Sequence, residues 1–541
     1  MTTITSPPCC GHLCTSFDSP EPPFYNMSLE YNPAEVQKAK NFISDLQGKI
    51  SKIEEALHRL QSAKERVEAR LAKQVSFIAP VNRLPSELLL VVFKLASDVY
   101  DLPAGYLLHE ETQLSFDSNA MSPWSPSAVC QRWRTVSLSH PPLWTRLEYS
   151  IIDRPGRRLP LQLERTHALP LHLRLVFYEH PWHNVWDTLS AYTHRILELD
   201  ITMAIYAQLR ELPLNVGLLT TLERLMIRAQ KKIRADTTFF QDAHNLKDLS
   251  LESLVVDNAF PTLVPWAGIT SLNLEKYVVL HSISPILQVL RITSHLSLLN
   301  ISPDVAPNRR IDAGLASESF DKVSLPRLKS FQISFRHDRS ATHLLLDHLL
   351  APVMKRFKVI SVDLSDLQAI HEFIRASSSP PITTLSIIDS NPDTEQDRFS
   401  ISLHQLFLLL PSLLRMQLDA SQHRADFDSA VRALTVPEQS SCPELQALHI
   451  TGEKALVLAN ILRAFAQKRQ MASPVALQKI HLDDSVFKHT EWKWEQEHQR
   501  RTRNSEQINP GDEAVQWTID ARRAGLLCVG PPPDLWEESD T

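Results

Sequence analysis

Glycine is scarce in this chain, with only 11 glycines among 541 residues. Loops that let a backbone approach a phosphate group closely usually need several of them. The patterns G-x-x-x-x-G-K, G-x-G-x-x-G, G-x-S-x-G and H-E-x-x-H are all absent from the sequence. These absences argue against nucleotide-binding and hydrolytic sites. We therefore expect a protein that is not an enzyme and that carries no cofactor.

Cysteine is also sparse, which argues against a disulfide framework and favours a reducing intracellular compartment. One short N-terminal cluster of Cys9, Cys10, His12 and Cys14 contains soft metal ligands. These ligands are crowded and lack a second ligand pair, so we do not expect a tetrahedral zinc site. The other cysteines are dispersed: Cys130, Cys442 and Cys528.

Long apolar runs and a basic charge excess are missing as well. No stretch of about 18 uninterrupted apolar residues occurs, and the first residues lack the pattern of a signal peptide. The formal net charge of -6 leaves no basic field for nucleic acid. We expect a soluble protein of the cytoplasm or nucleus that binds neither nucleic acid nor membrane.

A strong heptad pattern follows a leader of 32 residues. Residues 1–32 contain five prolines and little periodicity, which predicts disorder. Residues 33–78 predict one long helix, because charges of both signs surround apolar residues at alternating steps of three and four. Two interpretations fit: a coiled coil that forms a homodimer through residues 43–78, or a helix packed against its own neighbours. The heptad positions are Ile43, Leu46, Ile50, Ile53, Leu57, Leu60, Lys64, Val67, Leu71, Gln74 and Ile78.

Two later segments have the apolar spacing of helices. In RLPSELLLVVFKLA, residues 83–96, Pro85 and Ser86 begin a helix with a stripe of leucine, valine and phenylalanine. Residues 125–147 begin with a serine and a proline and place Val129, Trp133 and Val136 on a second stripe. So small a module cannot bury all of these side chains, so part of them should meet a partner. The intervening residues 98–124 predict an inserted surface loop.

The order of landmarks in residues 79–147 resembles an F-box. The landmarks are the LPSELL start, a Val-Phe pair, a Val-Cys pair before Arg-Trp-Arg, and a terminal Leu-Trp. This resemblance implies a small all-α module that binds a Skp-type adaptor and, through it, a cullin. The residues implied in adaptor binding are Leu84, Pro85, Leu88, Leu89, Val92, Phe93, Cys130, Trp133, Leu143 and Trp144.

From about residue 148 to residue 484 a pattern of the form L-x-x-L-x-L recurs. Spacings from 18 to the low thirties leave room for one strand, a turn and a helix per unit, so neighbouring units must stack to bury both elements. Helices are predicted over residues 341–357, 402–416 and 455–469. The triplets are Ile196-Leu199-Ile201, Leu222-Leu225-Ile227, Leu246-Leu249-Leu251, Ile269-Leu272-Leu274, Leu287-Leu290-Ile292, Leu328-Phe331-Ile333, Ile382-Leu385-Ile387, Leu413-Met416-Leu418, Leu445-Leu448-Ile450 and Leu477-Ile480-Leu482.

This part of the chain resembles degenerate leucine-rich repeats, although the asparagine or cysteine usual after each strand is absent. The expected fold class is α/β: a long N-terminal helix, the F-box module, then an irregular leucine-rich-repeat solenoid. An irregular α/β domain is the alternative. Residues from about 294 to 327 predict a loop or insertion, and residues 485–541 predict an end cap with an Arg500-Arg501-Arg503 cluster and a flexible acidic tail.

An F-box followed by leucine-rich repeats is similar to the substrate-recognition subunits of cullin-RING ubiquitin ligases, in particular a fungal group with a coiled helix before the F-box. The resemblance implies that the repeats bind an unknown protein substrate. A coiled-coil and repeat scaffold without a role in ubiquitin transfer is the alternative. Polar residues between the repeat leucines are the candidate recognition residues. They are Arg224, Arg228, Lys247, Asp248, Glu275, Gln446, His449, Lys479 and His481.

Overall fold

The computed structural model divides the chain into two compact units, Met1–Val92 and Phe93–Thr541. The structure describes residues 33–78, 80–98, 123–150, 158–177, 186, 188–203, 219–234, 240–279, 282–304, 321–336, 338–388, 396–419, 442–451, 479–482, 521 and 527–529. The predicted leader, the Cys9 to Cys14 cluster, most of the predicted insertion at 98–124 and the Arg500-Arg501-Arg503 cluster lie outside these residues.

The predicted long helix is confirmed as α1, Pro33–Ile78. A short 3₁₀ helix, Pro80–Arg83, follows, and then α2, Ser86–Asp98. Ion pairs between residues four apart support α1, with 3.0 Å between Lys49 Nζ and Asp45 Oδ2. Each such pair contributes about 0.2–0.5 kcal/mol, so the helix depends on many weak local terms.

Two short helices and a 3₁₀ helix follow: α3, Trp124–Val129; α4, Gln131–Leu138; and Pro141–Trp144. Cys130 separates α3 from α4 because its backbone is extended, at φ -154 and ψ 169. Its sulfur accepts a hydrogen bond from the Trp133 backbone N–H at 3.5 Å and so caps α4. A sulfur cap is weaker than the usual hydroxyl or carboxylate cap.

The second unit is dominated by one parallel sheet of 14 strands. Apart from two short strands, β8 and β10, every strand pairs with the next one along the chain, which defines a solenoid. The strands are β1 Arg146–Ser150, β2 Leu171–Phe177, β3 Ile196–Met203, β4 Arg224–Arg234, β5 Asp248–Val256, β6 Ser271–Val279, β7 Leu298–Pro303, β8 Val323–Ser324, β9 Ser330–Ser334, β10 Leu349–Leu350, β11 Arg356–Ile360, β12 Thr384–Ile388, β13 Arg415–Asp419, β14 Ala447–Thr451, β15 Lys479–Leu482 and β16 Leu527–Val529.

Helices or 3₁₀ turns connect most of these strands, and the triplet leucines whose burial is described fill the core between strand and connection. Leu225, Leu249, Leu272, Phe331 and Leu385 are each at most 1% exposed. Parallel strands require such crossovers because successive strands run in the same direction. The connecting helices are α5 Arg158–Arg165, α6 Ser284–Ile292, α7 Arg339–Asp347, α8 Leu364–Ala376 and α9 Gln396–Leu408, with 3₁₀ segments Ser190–Arg195, Phe260–Thr262 and Trp266–Gly268.

The leucine-rich-repeat-like prediction is therefore confirmed at the level of a mixed α/β solenoid, with one triplet misplaced. Leu287-Leu290-Ile292 lies in α6 and not in a strand. A leucine pair three residues apart suits either element, and Pro285 in the first turn favours the helix. The strand of this repeat is β7, inside the stretch predicted to be an insertion.

Two predicted helices have different bounds in the structure. The prediction over 341–357 extends too far, because α7 ends at Asp347 and the chain enters β10 and then β11. The prediction over 402–416 begins too late and ends too late, since α9 spans Gln396–Leu408. Pro352 and Pro411 disfavour helix at the residue before each of them. The helix predicted over 455–469 lies outside the described residues.

Candidate functional site

The open face of the sheet is the candidate site, because it carries the side chains that alternate with the buried leucines. Register aligns these positions into rows that cross the sheet. One row runs through Arg146, His172, Glu198, Arg224 and Asp248 on β1 to β5. A second row, two residues farther along each strand, begins with Glu148, Arg174 and Asp200. Because the strands follow one another in chain order, the residue type at each row position determines how the charge and polarity of the open face change from one strand to the next.

The first row is a ladder of alternating charge. Nδ1 of His172 lies 2.8 Å from Oε2 of Glu198, whose other oxygen lies 2.5 Å from Nη1 of Arg224. Nε of Arg224 also lies 3.5 Å from Oδ2 of Asp248. The contact with His172 is the largest influence on Glu198 and lowers the pKa of this carboxyl below its ordinary value. Glu198 thus lies between two basic side chains.

The second row is more enclosed. Arg174 lies between Glu148 and Asp200, at 3.8 and 3.7 Å, and Arg228 approaches Asp200 at 3.2 Å. Desolvation raises the pKa of Glu148 and of Asp200, while the arginines oppose this effect. One arginine shared by two half-buried acids compensates only part of the cost of burying them. Oδ1 of Asp200 is buried and has no hydrogen-bond partner among the described residues.

The middle strands replace this charge with amides and hydroxyls. The side-chain nitrogen of Asn273 on β6 donates to the Ser250 hydroxyl at 3.0 Å and to Glu275 at 3.0 Å. Asn300 on β7 donates to the Asn273 side-chain oxygen at 2.7 Å. Amide ladders of this kind fix the orientation of neighbouring polar groups. This part of the face presents a preorganised array of donors and acceptors.

Cations return on β11 and β13. Arg356 and Arg415 occupy the same row, and Thr384 of β12 lies between them in register. Lys358 lies two residues after Arg356 on β11. Parallel strands are about 4.8 Å apart, which places the two arginine positions roughly 10 Å apart. Thr384 is buried, as expected for a short side chain between two long ones.

Most of the predicted recognition residues lie on or beside this face. Arg224, Arg228, Asp248 and Glu275 occupy open-face positions. Lys247 instead pairs with Glu223 at 3.1 Å just before β5, and Gln446 precedes β14. Lys479 and His481 lie in β15, where the structure describes the backbone alone.

His449 departs from expectation. It was predicted to be exposed, but it is only 4% exposed on β14, where register places it between Gln417 and His481. A side chain this deeply buried is a poor first contact for a partner.

The residues assigned to adaptor binding divide by burial. Leu89, Phe93, Leu143 and Trp144 are at most 7% exposed and therefore belong to the core. On α2, the exposed apolar residues instead lie at spacings of three and four: Leu88 50%, Val91 53%, Val92 43% and Leu95 63%. Leu84, Cys130 and Trp133 are half-buried and Pro85 is exposed. A side chain in the core cannot meet a partner without rearrangement, so the exposed face of α2 is the part available for docking.

Val91 and Leu95 were not predicted as contact residues. The helical positions of Leu88, Val91, Val92 and Leu95 lie on one face, and those of Leu89 and Phe93 lie on another. The sequence signal was present, since the spacing is regular. Sequence reasoning merged the two faces because all of their residues are apolar.

Aromatic contacts join α2 to α4, and α3 to the first repeat. The rings of Trp124 and Trp144 pack edge to face at 5.0 Å, and Phe93 packs on Trp133 at 4.9 Å. Cζ of Arg165, from α5, lies 4.4 Å from the centroids of both Trp124 and Trp144. Such cation–π contacts contribute about 0.5–2 kcal/mol each. Arg165 was not singled out from the sequence.

One histidine–aspartate pair lies in the repeat region. Nε2 of His343 on α7 is 2.6 Å from Oδ1 of Asp366, which also completes a capping box with Asp363 at the start of α8. The hydrogen bond that His343 Nε2 donates to Asp366 raises the pKa of His343. Arg339 pairs with both aspartates. Among the described residues no hydroxyl or thiol is bonded to His343, so the pair serves as a tie between two helices.

The described residues contain no group of three or more histidine, cysteine, aspartate or glutamate side chains placed to hold a metal ion. None of the helices within these residues has both the length and the apolar content of a membrane span. The zinc-ligand candidates Cys9, Cys10, His12 and Cys14 lie outside the described residues.

Comparison with known proteins does not identify a family for this chain. No protein-family model matches the chain, and no curated protein matches it. Among nine matching chains of solved structures is the leucine-rich-repeat ectodomain of the Arabidopsis receptor kinase HAESA in complex with an extended IDA peptide hormone. That match has 13% identity and a TM-score of 0.19, and it covers 60% of this chain and 60% of the ectodomain. The leucine-rich-repeat-like architecture rests on the strand order and register described above.

Proposed function

We propose that this chain is a protein-recognition subunit whose repeat sheet binds a target protein. The observation that carries the proposal is the open face, where ordered rows of charged and polar side chains cross a single continuous sheet. Fixed polar rows give specificity to a protein interface because a mismatched partner leaves them unpaired. The chain makes no covalent bond in this role and needs no cofactor.

The finer proposal is that the chain is the substrate-recognition subunit of a Skp-cullin-F-box ubiquitin ligase. Its support is the F-box-like order of landmarks in residues 79–147, together with the exposed apolar face of α2. Four exposed apolar side chains on one helix face are costly in water and suit a helix-binding adaptor. The subunit would act by proximity, because holding a target near the ubiquitin-conjugating enzyme raises the effective concentration of the reacting groups.

A scaffold without a role in ubiquitin transfer remains the second candidate, since the exposed face of α2 would serve either role. Affinity purification of the intact chain from cells treated with a proteasome inhibitor separates the two. If the chain is a ligase subunit, the purified material should contain a Skp-type adaptor and a cullin. The complex is then expected in the cytoplasm or nucleus. Recovery of binding proteins without adaptor or cullin would favour the scaffold.

A further inference from the structure

A long stripe of exposed apolar side chains runs along α1 and belongs neither to the open face of the sheet nor to the exposed face of α2. Its members recur at alternating steps of three and four through a helix that is about 69 Å long. The exposed fractions are 53% for Ile43, 38% for Leu46, 55% for Ile50, 41% for Ile53, 53% for Leu57, 60% for Leu60, 63% for Val67 and 62% for Leu71. A helix with so much apolar surface in water needs a partner.

The pattern specifies a supercoiled helical partner. Four to five successive heptads follow a strict seven-residue repeat, which keeps the stripe on one side only if the helix winds around another. Counting Ile43 as position a, the a positions continue with Ile50, Leu57, Lys64 and Leu71. The d positions are Leu46, Ile53, Leu60, Val67 and Gln74.

Lys64 sets the number of helices. Its side chain is about three-quarters exposed and lies 3.7 Å from Glu68 on the same helix. At position a of a two-stranded coiled coil, a lysine can extend along the helix to water, whereas a bundle of three or four helices would bury its charge. Two helices are therefore favoured over three or four. Lys64 also disfavours a shifted register of the pair.

Charge at the flanking positions sets the orientation. In a parallel, in-register pair, Lys49 at position g of one helix faces Glu54 at position e of the second copy, and this attraction occurs twice. In the antiparallel pair that overlaps the same stripe, Lys49 faces Arg70 of the second copy, and this repulsion also occurs twice. A second copy of this chain therefore fits the stripe best when it is parallel.

We propose that α1 forms a parallel, in-register, two-stranded coiled coil with a second copy of this chain. The inference rests on α1 alone and stands whether or not the chain belongs to a ubiquitin ligase. The dimer would carry two copies of the α2 face and two repeat sheets on one assembly. A partner with two sites would then be held far more tightly than either sheet holds one site.

Light scattering of the purified full-length chain after size exclusion tests the number of copies. The expected mass is twice the chain mass of 61.5 kDa, falling toward that mass on dilution. Leu57→Lys should give the monomer mass at concentrations where the unchanged chain is dimeric. His58→Lys with Ser62→Lys, on the opposite side of the same turn, should leave the dimer intact. Circular dichroism of every variant checks that the helix content is retained.

A charge exchange tests the orientation. Lys49→Glu should weaken the dimer by about fivefold, since two attractions become repulsions. Adding Glu54→Lys should restore it, and because both variants lose the contact with Asp45, that contact cannot explain the recovery. A monomeric unchanged chain, a higher oligomer, or a dimer insensitive to Leu57→Lys would overturn the proposal. Tighter association of the Lys49→Glu variant would overturn the parallel orientation.

Discussion

The indole nitrogen of Trp144 donates a hydrogen bond of 2.8 Å to the backbone carbonyl oxygen of Ser137. The same indole packs against Trp124 and lies beneath the guanidinium of Arg165, which belongs to the connection between β1 and β2. One buried side chain thus joins the end of the F-box-like segment to the first repeat. Removing the Trp144 side chain should therefore destabilise both that segment and the first repeat.

Trp144→Ala should lower the free energy of unfolding by about 3 kcal/mol or more, because it leaves a large cavity and an unpaired carbonyl. Trp144→Phe should cost less, since an aromatic ring still packs at the site although the hydrogen bond and part of the buried volume are lost. Urea unfolding followed by tryptophan fluorescence and circular dichroism measures both. As a control, Leu161→Ala removes a 42% exposed side chain and should change stability by less than about 0.5 kcal/mol. Equal losses for Trp144→Ala and Leu161→Ala would contradict the packing described.

The exposed face of α2 should bind the adaptor without holding the fold together. Leu88→Ala with Val92→Ala is expected to reduce co-precipitated Skp-type adaptor at least tenfold, or about 1.4 kcal/mol, while the unfolding transition is preserved. Leu161→Ala with Leu408→Ala removes two similarly exposed leucines elsewhere and should leave binding unchanged. Adaptor binding that survives in the folded Leu88→Ala, Val92→Ala variant would remove the support for an F-box.

The ladder predicts opposite pH responses for two neighbouring acids. The pKa of Glu198 is lowered in the fold, so its contribution to stability is present above the pKa of an unfolded glutamate, about 4.3, and is lost as pH falls through the lower folded value. Relative to Glu198→Gln, the unchanged chain should therefore lose stability on acidification.

Asp200 should behave in the reverse way. Its pKa is raised by desolvation, so the folded chain binds this proton more readily than the unfolded chain does. Relative to Asp200→Asn, the unchanged chain should gain stability as pH falls through the folded pKa toward about 3.9, the unfolded value. Urea midpoints of the three proteins between roughly pH 6 and pH 3.5 provide the measurement. Parallel trends for the two variants would contradict the assigned environments.

Local periodicity in the sequence predicted much of the fold. The heptads predicted α1 with its observed bounds, and the L-x-x-L-x-L spacing located nine strands, because residues that share a face recur at the period of their element. It failed at Leu287-Leu290-Ile292, where the same spacing suits a helix. It also missed β11, whose core residues Met354, Phe357 and Val359 contain no leucine.

What only the tertiary structure decided is which side chains become neighbours across strands and which apolar face is covered. Arg174 and Asp200 are 26 residues apart in sequence, yet strand register makes them adjacent. On α2, Leu88 and Leu89 are chemically identical, but one is half-exposed and the other is fully buried. The amino-acid order by itself determined helix, strand and the inward leucines, because these follow from short-range spacing. The charge ladder and the docking face depended on long-range packing, which no local pattern contains.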